Sequence, residues 1–284
     1  MRTRFAPSPT GYLHLGHAYS AMLAHDRAME QGGEFLLRIE DTDGARIRPE
    51  YDAAIFEDLA WLGLRWAVPV LRQSASLAVY DVALGRLSLL GLTYPCRCTR
   101  SDILAALSAP QEGAPHLAPD GQAYPGTCRA RTMREALSGD AIRLDLRRAL
   151  DCIGGAELPG FAESGPAHEG THRIDAGRML RTLGDVVLAR KDIGAAGYHL
   201  AVVVDDARQA ITEVTRGEDL FAATFLHILL QRLLGLPTPL YHHHRLIRDE
   251  AGKRLAKRDD ARSLRRYRAE GASPGDIRRL VGLG

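Results

Sequence analysis

Lysine is scarce in this chain of 284 residues. Only three lysines occur, at positions 191, 253 and 257, against 34 arginines. Cysteine is scarce as well, and four residues are too few for a disulfide scaffold in a chain of this length. The formal net charge is only +2, so the overall charge does not by itself indicate a nucleic-acid binder.

Long apolar runs are also missing. The longest, 220–236, is interrupted by His227, Gln231 and Arg232. Near the start of the chain, Pro7 and Pro9 occur without any apolar run before them. Neither segment has the pattern of a membrane span or a secretory signal. We therefore expect a buried helix at 220–236 in a cytoplasmic protein that binds no membrane.

The size and composition are those of a compact chain. Hydrophobic residues make up 45% and charged residues 25%, and the length lies at the upper limit of about 250–300 residues for one domain. One large domain with an insertion, or two unequal domains, is expected. Charge is uneven: residues 241–284 carry +6 and the first 240 carry −4, which suits an anionic partner approaching one face.

The pattern of apolar residues predicts an α/β fold. A strand at 2–6, a Pro-Ser-Pro-Thr-Gly loop, a helix at about 17–31 and a strand at 35–39 form a β-loop-α-β unit that ends in the acidic cluster 40–43. Polar strand ends of this kind mark ligand sites in open parallel sheets. The remaining expected elements are helices at 49–63 and 75–91, strands at 198–206 and 211–215, a helix capped by Asp219 and running to Gly235, two β-like runs flanking a hairpin within 241–258, and a last helix with Ser273 as N-cap and Pro274 as its first residue.

Four segments follow from composition. Periodicity weakens and Pro, Gly, Ser and Ala become frequent between about 96 and 170, which indicates an inserted subdomain. We expect a first Rossmann-like catalytic half at 1–95, the insertion at 96–190, a second catalytic half at 191–240, and a basic hairpin with C-terminal helices at 241–284.

Two segments have the residues of a phosphate site. In 10–17, Gly11 and Gly16 allow close backbone approach, and His14 and His17 can both donate to one phosphate chain at a helix N-terminus. Two polar residues that merely cap the helix are the alternative. Segment 252–258 holds two of the three lysines, whose compact charge suits a phosphate chain, although a solvated basic hairpin would have the same composition.

These segments resemble the HIGH and KMSKS signatures of class I aminoacyl-tRNA synthetases, here His14-Leu-Gly-His17 and Arg254-Leu-Ala-Lys-Arg258, with Ala256 at the serine position. Further segments resemble the glutamyl-tRNA synthetase catalytic domain, in order along the chain: 4–11, 38–43, 198–206 and 214–219. That family continues into an anticodon-binding region, whereas this chain ends 26 residues after Arg258. The chain therefore resembles the stand-alone paralogues that glutamylate queuosine in tRNA(Asp).

The resemblance implies a reaction and a set of residues. Glutamate is activated by ATP with Mg²⁺ to glutamyl-adenylate and is then transferred to the queuosine base of the tRNA(Asp) anticodon, by a protein expected to be a monomer. ATP would meet His14, Gly16, His17 and Lys257, of which the histidines and the lysine are catalytic. The glutamate pocket comprises Arg4, Phe5, Ala6, Pro7, Ser8, Glu40, Tyr198 and Arg216. Glu40 and Ser8 would bind the ammonium group of glutamate, and the two arginines and Tyr198 would bind its carboxylates.

Three other functions remain open at this point. The chain could be a truncated glutamyl-tRNA synthetase that charges tRNA(Glu), another nucleotidyltransferase with an HxGH motif, or a tRNA-binding regulatory protein without catalytic activity. The acceptor used, and pyrophosphate release with glutamate, distinguish them.

The cysteines resemble the zinc site of the same paralogues. Cys96, Cys98, Tyr124 and Cys128 match its C-x-C…Y-x3-C pattern, so the inserted subdomain is expected to hold one structural Zn²⁺. His116 is the alternative fourth ligand, and three buried thiols without metal are the other possibility. Cys152 is a lone thiol. The triplet 242–244 does not suggest a metal site, because consecutive strand residues face alternate sides.

Overall fold

The computed structural model describes residues 1–99, 101–103, 124–154, 158–190, 195–248 and 262–284. Its strands are β1 Arg2–Phe5, β2 Glu34–Ile39, β3 Ala67–Arg72, β4 Thr93–Cys96, β5 Ala141–Leu144, β6 Gly160–Glu163, β7 Gly170–Arg173, β8 Val187–Arg190, β9 Ala195–Ala196, β10 Glu213–Gly217 and β11 Leu240–His244. Its α-helices are α1 Leu15–Glu30, α2 Pro49–Trp61, α3 Leu77–Leu89, α4 Leu146–Cys152, α5 Ala176–Thr182, α6 Tyr198–Arg208, α7 Phe221–Leu234, α8 Leu264–Ala269 and α9 Pro274–Val281.

Two groups of parallel strands meet beside β1. The first has the order β1-β2-β3, and the second has β10 and β6 on either side of β11, with β7 antiparallel at its edge. The amide of Thr212, just before β10, donates to the carbonyl of Arg2 at 2.9 Å. The strand order therefore reverses between β1 and β10, the place where open α/β sheets form a ligand crevice. The predicted mixed α/β class with a parallel sheet is confirmed.

Within the predicted insertion, β5 and β8 pair with the flanking β4 and β9 in a separate antiparallel sheet, whereas β6 and β7 belong to the sheet of β10 and β11. Helix α1 packs its buried residues, among them Ala21 and Met22, onto Phe35 and Leu37 of β2, and this core supports the start of the chain. A second core surrounds α6 and α7. The division of the chain into four segments stays a prediction.

The predicted strand at 198–206 is wrong, because these residues belong to α6. Consecutive valines at 202–204 favour a strand locally, but α6 is buried along nearly all of its length and so shows no polar stripe. An apolar run with both sides buried does not distinguish a strand from a core helix. Length does distinguish them, because the 11 residues of α6 exceed the usual length of a strand.

The N-terminal caps of α9 and α7 were both predicted, and one of the two predictions is confirmed. The Ser273 hydroxyl accepts the amide of Asp276 at 3.2 Å and Pro274 is the first residue of α9, as expected. The expected Asp219 cap is wrong, since a 3₁₀ turn at Glu218–Leu220 places Leu220 at the N-cap of α7.

The other expected elements occur within a few residues of their predicted bounds. The run at 220–236 forms α7, and no described helix combines the length and apolarity needed to cross a membrane. The first β-like run after residue 240 is β11, while the hairpin at 249–252 lies outside the described residues.

Candidate active site

An open cleft of about 580 Å³ lies at the carboxyl ends of β1, β2 and β10 and beside the first residues of α1 and α6. Its wall holds all predicted glutamate and ATP residues that the structure describes: Arg4, Phe5, Ala6, Pro7, Ser8, His14, Gly16, His17, Glu40, Tyr198 and Arg216. Lys257 lies outside the described residues. The structure thus brings together residues more than 200 positions apart, and their individual roles stay predictions.

The two histidines at the start of α1 form its capping box. His14 is the N-cap, and its Nδ1 accepts the amide of Gly16 at 3.1 Å. The amide of His14 in turn donates to Nδ1 of His17 at 3.2 Å. In a neutral ring whose Nδ1 accepts, the proton is on Nε2. Capping and anion binding are therefore compatible, because the cap selects the tautomer in which Nε2–H can donate to a phosphate.

Gly16 has a steric requirement in this arrangement. A Cβ atom on Gly16 would lie 3.0 Å from Cε1 of His14, which is tighter than ordinary carbon contacts. Glycine at this position therefore allows the His14 ring to fold back onto the first turn of α1.

An ion-pair network connects Arg4 and Glu40, which line the cleft, through the buried Arg38 and Asp206. Arg4 donates to both oxygens of Asp206, from Nε at 2.9 Å and from Nη2 at 3.3 Å. Arg38 donates from Nη1 to Asp206 at 2.6 Å and from Nη2 to Glu40 at 3.2 Å. Burial opposes ionisation of Asp206, but the two arginines lower the pKa of its carboxyl. The charge of Arg4 is therefore largely compensated within the protein.

Glu40 extends from the end of β2 into the cleft. Its amide donates to the carbonyl of Pro7 at 3.0 Å, which ties the strand end to the loop after β1. Burial raises the pKa of the Glu40 carboxyl and outweighs the nearby Arg38 charge. A ligand ammonium group would complete the charge pairing of Glu40. Tyr198, the first residue of α6, is 37% exposed and faces the same space.

Arg216 differs from Arg4 in its partners. Its Nε donates to Nε2 of His243 at 3.0 Å and its Nη1 to Nδ1 of His227 at 3.1 Å. Its Nη2 donates to the Thr224 hydroxyl at 2.7 Å and to the Leu220 carbonyl at 3.3 Å. Among the described residues no carboxylate contacts this guanidinium, so its positive charge is available to a ligand.

Several of these residues have contacts that their local sequence does not specify. Arg38 interrupts an otherwise apolar strand and Asp206 ends a conspicuous apolar run, so both gave a usable signal. His227 gave none, since a histidine inside a helix is not distinctive. The triplet 242–244 was considered only for metal binding. Its members do have separate environments, as expected: His242 contacts Ser164, His243 contacts Glu163, and His244 lies edge-on to Tyr19.

A second cluster lies at the end of β4. Ligand atoms of Cys96, Cys98 and Cys128 all lie within 4.8 Å of one another, and the Tyr124 hydroxyl is 3.5 Å from Sγ of Cys96 and 3.4 Å from Sγ of Cys98. Zinc–sulfur bonds of about 2.3 Å in a tetrahedron imply donor separations of this size. The four predicted donors therefore fit one zinc ion. Cys152 is exposed and lies apart, and His116 is outside the described residues.

The thiols of this cluster differ in pKa, and burial raises the pKa of the Cys98 thiol to about 11. The amide of Cys128 donates to the Tyr124 hydroxyl at 2.8 Å. Burial opposes ionisation of Cys128, but hydrogen bonds from the Tyr124 hydroxyl and the Arg97 amide lower the pKa of its thiol to about 7. Thiolates are the form that binds zinc.

Comparison with known proteins places this geometry in a family. The catalytic domain of "tRNA synthetases class I (E and Q)" matches residues 1–141 and 176–283. Among solved structures, the glutamate-tRNA synthetase of Elizabethkingia anophelis has a TM-score of 0.75 and 26% identity, covering 100% of this chain and 61% of its own. This chain thus spans less than two thirds of that enzyme. A methionyl-tRNA synthetase of Mycobacterium tuberculosis, with a TM-score of 0.59 and 9% identity, shares the fold alone.

Relatives of similar length show a narrower group. The Glutamyl-Q tRNA(Asp) synthetase of Rhodobacter capsulatus is 60% identical over 100% of both chains. The protein of the same name from Symbiobacterium thermophilum is 42% identical over 99% of this chain and 86% of its own. The chain therefore belongs to the glutamyl-Q tRNA(Asp) synthetases, within the class I tRNA synthetases for glutamate and glutamine.

Proposed function

We propose that the protein activates L-glutamate with ATP and transfers it to queuosine in tRNA(Asp). The observation that carries this proposal is the cleft, which is lined by Glu40, by the His14–His17 pair and by Arg216, a cation that no described carboxylate contacts. Glutamate has two carboxylates and one ammonium group, so it needs cationic partners and one anion. The names of the full-length relatives favour this function over a truncated enzyme for tRNA(Glu), a different nucleotidyltransferase or a regulatory paralogue.

The proposed first step needs positioning and charge stabilisation and no covalent enzyme intermediate. An oxygen of the glutamate α-carboxylate attacks the α-phosphorus of ATP, the new O–P bond forms, and the bond to the β-phosphate breaks to release pyrophosphate. Nε2–H groups of His14 and His17 donate to phosphate oxygens, and Lys257 stabilises the charge that develops on pyrophosphate. Mg²⁺ accompanies the ATP phosphates.

Recognition of glutamate follows from the cleft wall. Glu40, with Ser8, accepts the ammonium protons, while Arg216, Arg4 and Tyr198 contact the carboxylates. For the second step, a queuosine base flipped out of the anticodon loop would enter the same cleft, and a nucleophilic group of this base would attack the adenylate carbonyl. The new bond to glutamate replaces the acyl–phosphate bond, so AMP leaves and the nucleophile loses its proton. A monomer acting in the cytoplasm, where tRNA and ATP occur, belongs to the same proposal.

The acceptor is tested by mass mapping of glutamate on tRNA. The protein is incubated with ATP, labelled glutamate and one of three RNAs: tRNA(Asp) with queuosine, tRNA(Asp) without it, or tRNA(Glu). We expect label only on the queuosine base of the first RNA. Label on the 3′ end of tRNA(Glu) would replace the proposal by the truncated-synthetase function, and absence of pyrophosphate release would favour a regulatory protein.

Substitution of Lys257 with alanine tests the nucleotide site. We expect the rate of glutamate-dependent ATP–pyrophosphate exchange to fall at least about tenfold, which is about 1.4 kcal/mol of barrier, because the charge on the leaving pyrophosphate loses its partner. Lys253→Ala, in the same segment, is the matched control and should leave the rate within about twofold. Equal rates for Lys257→Ala and the unmodified protein would contradict the role of Lys257.

We further propose that Cys96, Cys98, Tyr124 and Cys128 hold one structural zinc ion. Metal analysis of the purified protein should find about one zinc per chain, since three thiolates and one oxygen complete a tetrahedral site. Cys128→Ser should lose the ion, whereas the control Cys152→Ser should retain it. Tyr124→Phe should release zinc to a chelator sooner than His116→Ala does; the reverse order would make His116 the fourth ligand.

A further inference from the structure

Two histidines that hydrogen-bond to Arg216, His243 and His227, do not line the cleft. We propose that Glu163 and His243 are positioning residues for the substrate carboxylate: Glu163 holds the His243 ring in its Nδ1–H tautomer, and His243 then orients the Arg216 guanidinium as a neutral acceptor. The inference rests on the proposed glutamate-activating function, because it concerns how that site recognises its acid substrate. Neither Glu163 nor His243 lines the cleft, so both act through Arg216.

Glu163 is fixed by its own contacts. Its Oε1 accepts two backbone amides, from Gly165 at 2.6 Å and from His243 at 2.8 Å. Its Oε2 lies 2.5 Å from Nδ1 of His243, and both side chains are fully buried. An oxygen that accepts here requires the proton on Nδ1. Nε2 of His243 is then the acceptor that receives Nε–H of Arg216 at 3.0 Å.

His227 supports Arg216 in the same way from α7. Its Nδ1 accepts from Nη1 of Arg216, so its Nε2 carries the proton and points to Nδ1 of His199 at 3.1 Å. Burial and then the charge of Arg216 hold the pKa of His227 well below its ordinary value. Burial, together with Arg216, lowers the pKa of His243 to about 4 in spite of the adjacent Glu163. Both rings are therefore neutral near pH 7.

Neutral partners have an electrostatic consequence. Arg4 and Arg38 share Asp206, so the protein itself already neutralises part of their charge. Arg216 is oriented through four hydrogen bonds, and no carboxylate of the described residues pairs with it. Among the same residues none accepts the second N–H of Nη1, which can donate to a ligand. The carboxylate of Glu163 reaches Arg216 only through the His243 ring, which separates the orienting acid from the cation.

Glu163→Gln reverses the tautomer while preserving size. The two backbone amides keep the amide oxygen at the Oε1 position, so the NH₂ group faces Nδ1 of His243 and donates to it. Nε2 of His243 then carries a proton that opposes Nε–H of Arg216. We expect the KM for glutamate in ATP–pyrophosphate exchange to rise about tenfold, the effect of losing one hydrogen bond to a charged group, while the KM for ATP stays within about twofold.

A matched control comes from β10. Glu213 is also buried in the parallel sheet and pairs with Arg27, but it contacts neither His243 nor Arg216. Glu213→Gln should leave the KM for glutamate within about twofold even if it lowers thermal stability. Equal increases of both KM values in Glu163→Gln, or the same change in Glu213→Gln, would assign Glu163 a structural role only.

A double-mutant cycle tests whether Glu163 acts through His243. In His243→Gln the side-chain oxygen can face Arg216 whatever residue occupies position 163. Adding Glu163→Gln to that variant should therefore change the KM for glutamate less than about twofold, in contrast to its effect alone. An undiminished tenfold effect in the His243→Gln background would overturn the proposed order of action.

The tautomer is measured independently of activity. NMR shifts of the ring nitrogens in isotope-labelled protein should show His243 as Nδ1–H in the unmodified protein and as Nε2–H in Glu163→Gln. An Nε2–H ring in the unmodified protein overturns the inference even if glutamate is activated. An Nδ1–H ring in a protein that shows no exchange with glutamate supports the arrangement and overturns the proposed function instead.

Discussion

Replacing Arg216 with glutamine is expected to lower kcat/KM for glutamate in ATP–pyrophosphate exchange at least about a hundredfold. Arg216 is only 6% exposed, and no described carboxylate compensates its charge. Truncating one partner of a buried, hydrogen-bonded charge pair costs about 2–5 kcal/mol, and about 2.8 kcal/mol already corresponds to a hundredfold. Arg4 cannot substitute for it, because Asp206 accepts from Nε and Nη2 of Arg4 and the Thr215 carbonyl accepts from its Nη1.

Two further variants separate charge from shape at this position. Arg216→Lys keeps the charge but not the planar fork that donates to His243 and His227 together, so an intermediate rate is expected. Arg279→Gln removes an exposed arginine of α9 and should stay within about twofold of the unmodified protein. An Arg216→Gln enzyme within about threefold of normal would show that the substrate carboxylate binds elsewhere.

Asp206→Asn is expected to lower the free energy of unfolding by about 3–5 kcal/mol, as for other buried ion pairs that lose one partner. Asp206 accepts from both Arg4 and Arg38, and the Arg38 side chain is completely buried. Nε of Arg38 already has no hydrogen-bond partner among the described residues. The substitution would leave two buried cations with less negative charge around them.

The difference in free energy of unfolding between Asp206→Asn and the unmodified protein should depend on pH. Because the pKa of Asp206 is lower in the folded protein than in the unfolded chain, its ionisation stabilises the fold at neutral pH. This contribution is lost as the pH falls through the folded pKa. The deficit of Asp206→Asn should therefore be full at pH 7 and should shrink in the acid range below the ordinary carboxyl pKa.

Denaturant unfolding at several pH values measures both effects. The control is Glu34→Gln, which breaks a pair with Arg2 whose side chains are 55% and 39% exposed, and it should cost no more than about 1 kcal/mol. If Asp206→Asn were no more destabilising than Glu34→Gln, or if its loss of unfolding free energy grew in acid, the ion pairs of Asp206 would not stabilise the fold.

Most residues that line the cleft stand in motifs visible in the sequence, whereas their hydrogen-bond partners do not. Arg4, Glu40 and Arg216 stand in recognisable motifs at strand ends, so their convergence follows from the rule for open parallel sheets. The pairing of Arg4 with Asp206 joins residues separated by 202 positions. No local pattern specifies that contact. It depends on α6 being a helix, which presents Asp206 to β1 and β2, whereas the predicted strand would have placed that carboxylate at a strand end.

The sequence alone determined the family, the parallel α/β architecture and the residue types at the proposed phosphate, glutamate and zinc sites, because motifs and apolar periodicity are local properties of the chain. Only the tertiary structure decided which cation is neutralised by the protein and which remains for a ligand. Arg4 and Arg216 are the same residue type, and each stands in a motif at the end of a strand. Their difference arises because packing places a carboxylate against one and two neutral imidazoles against the other.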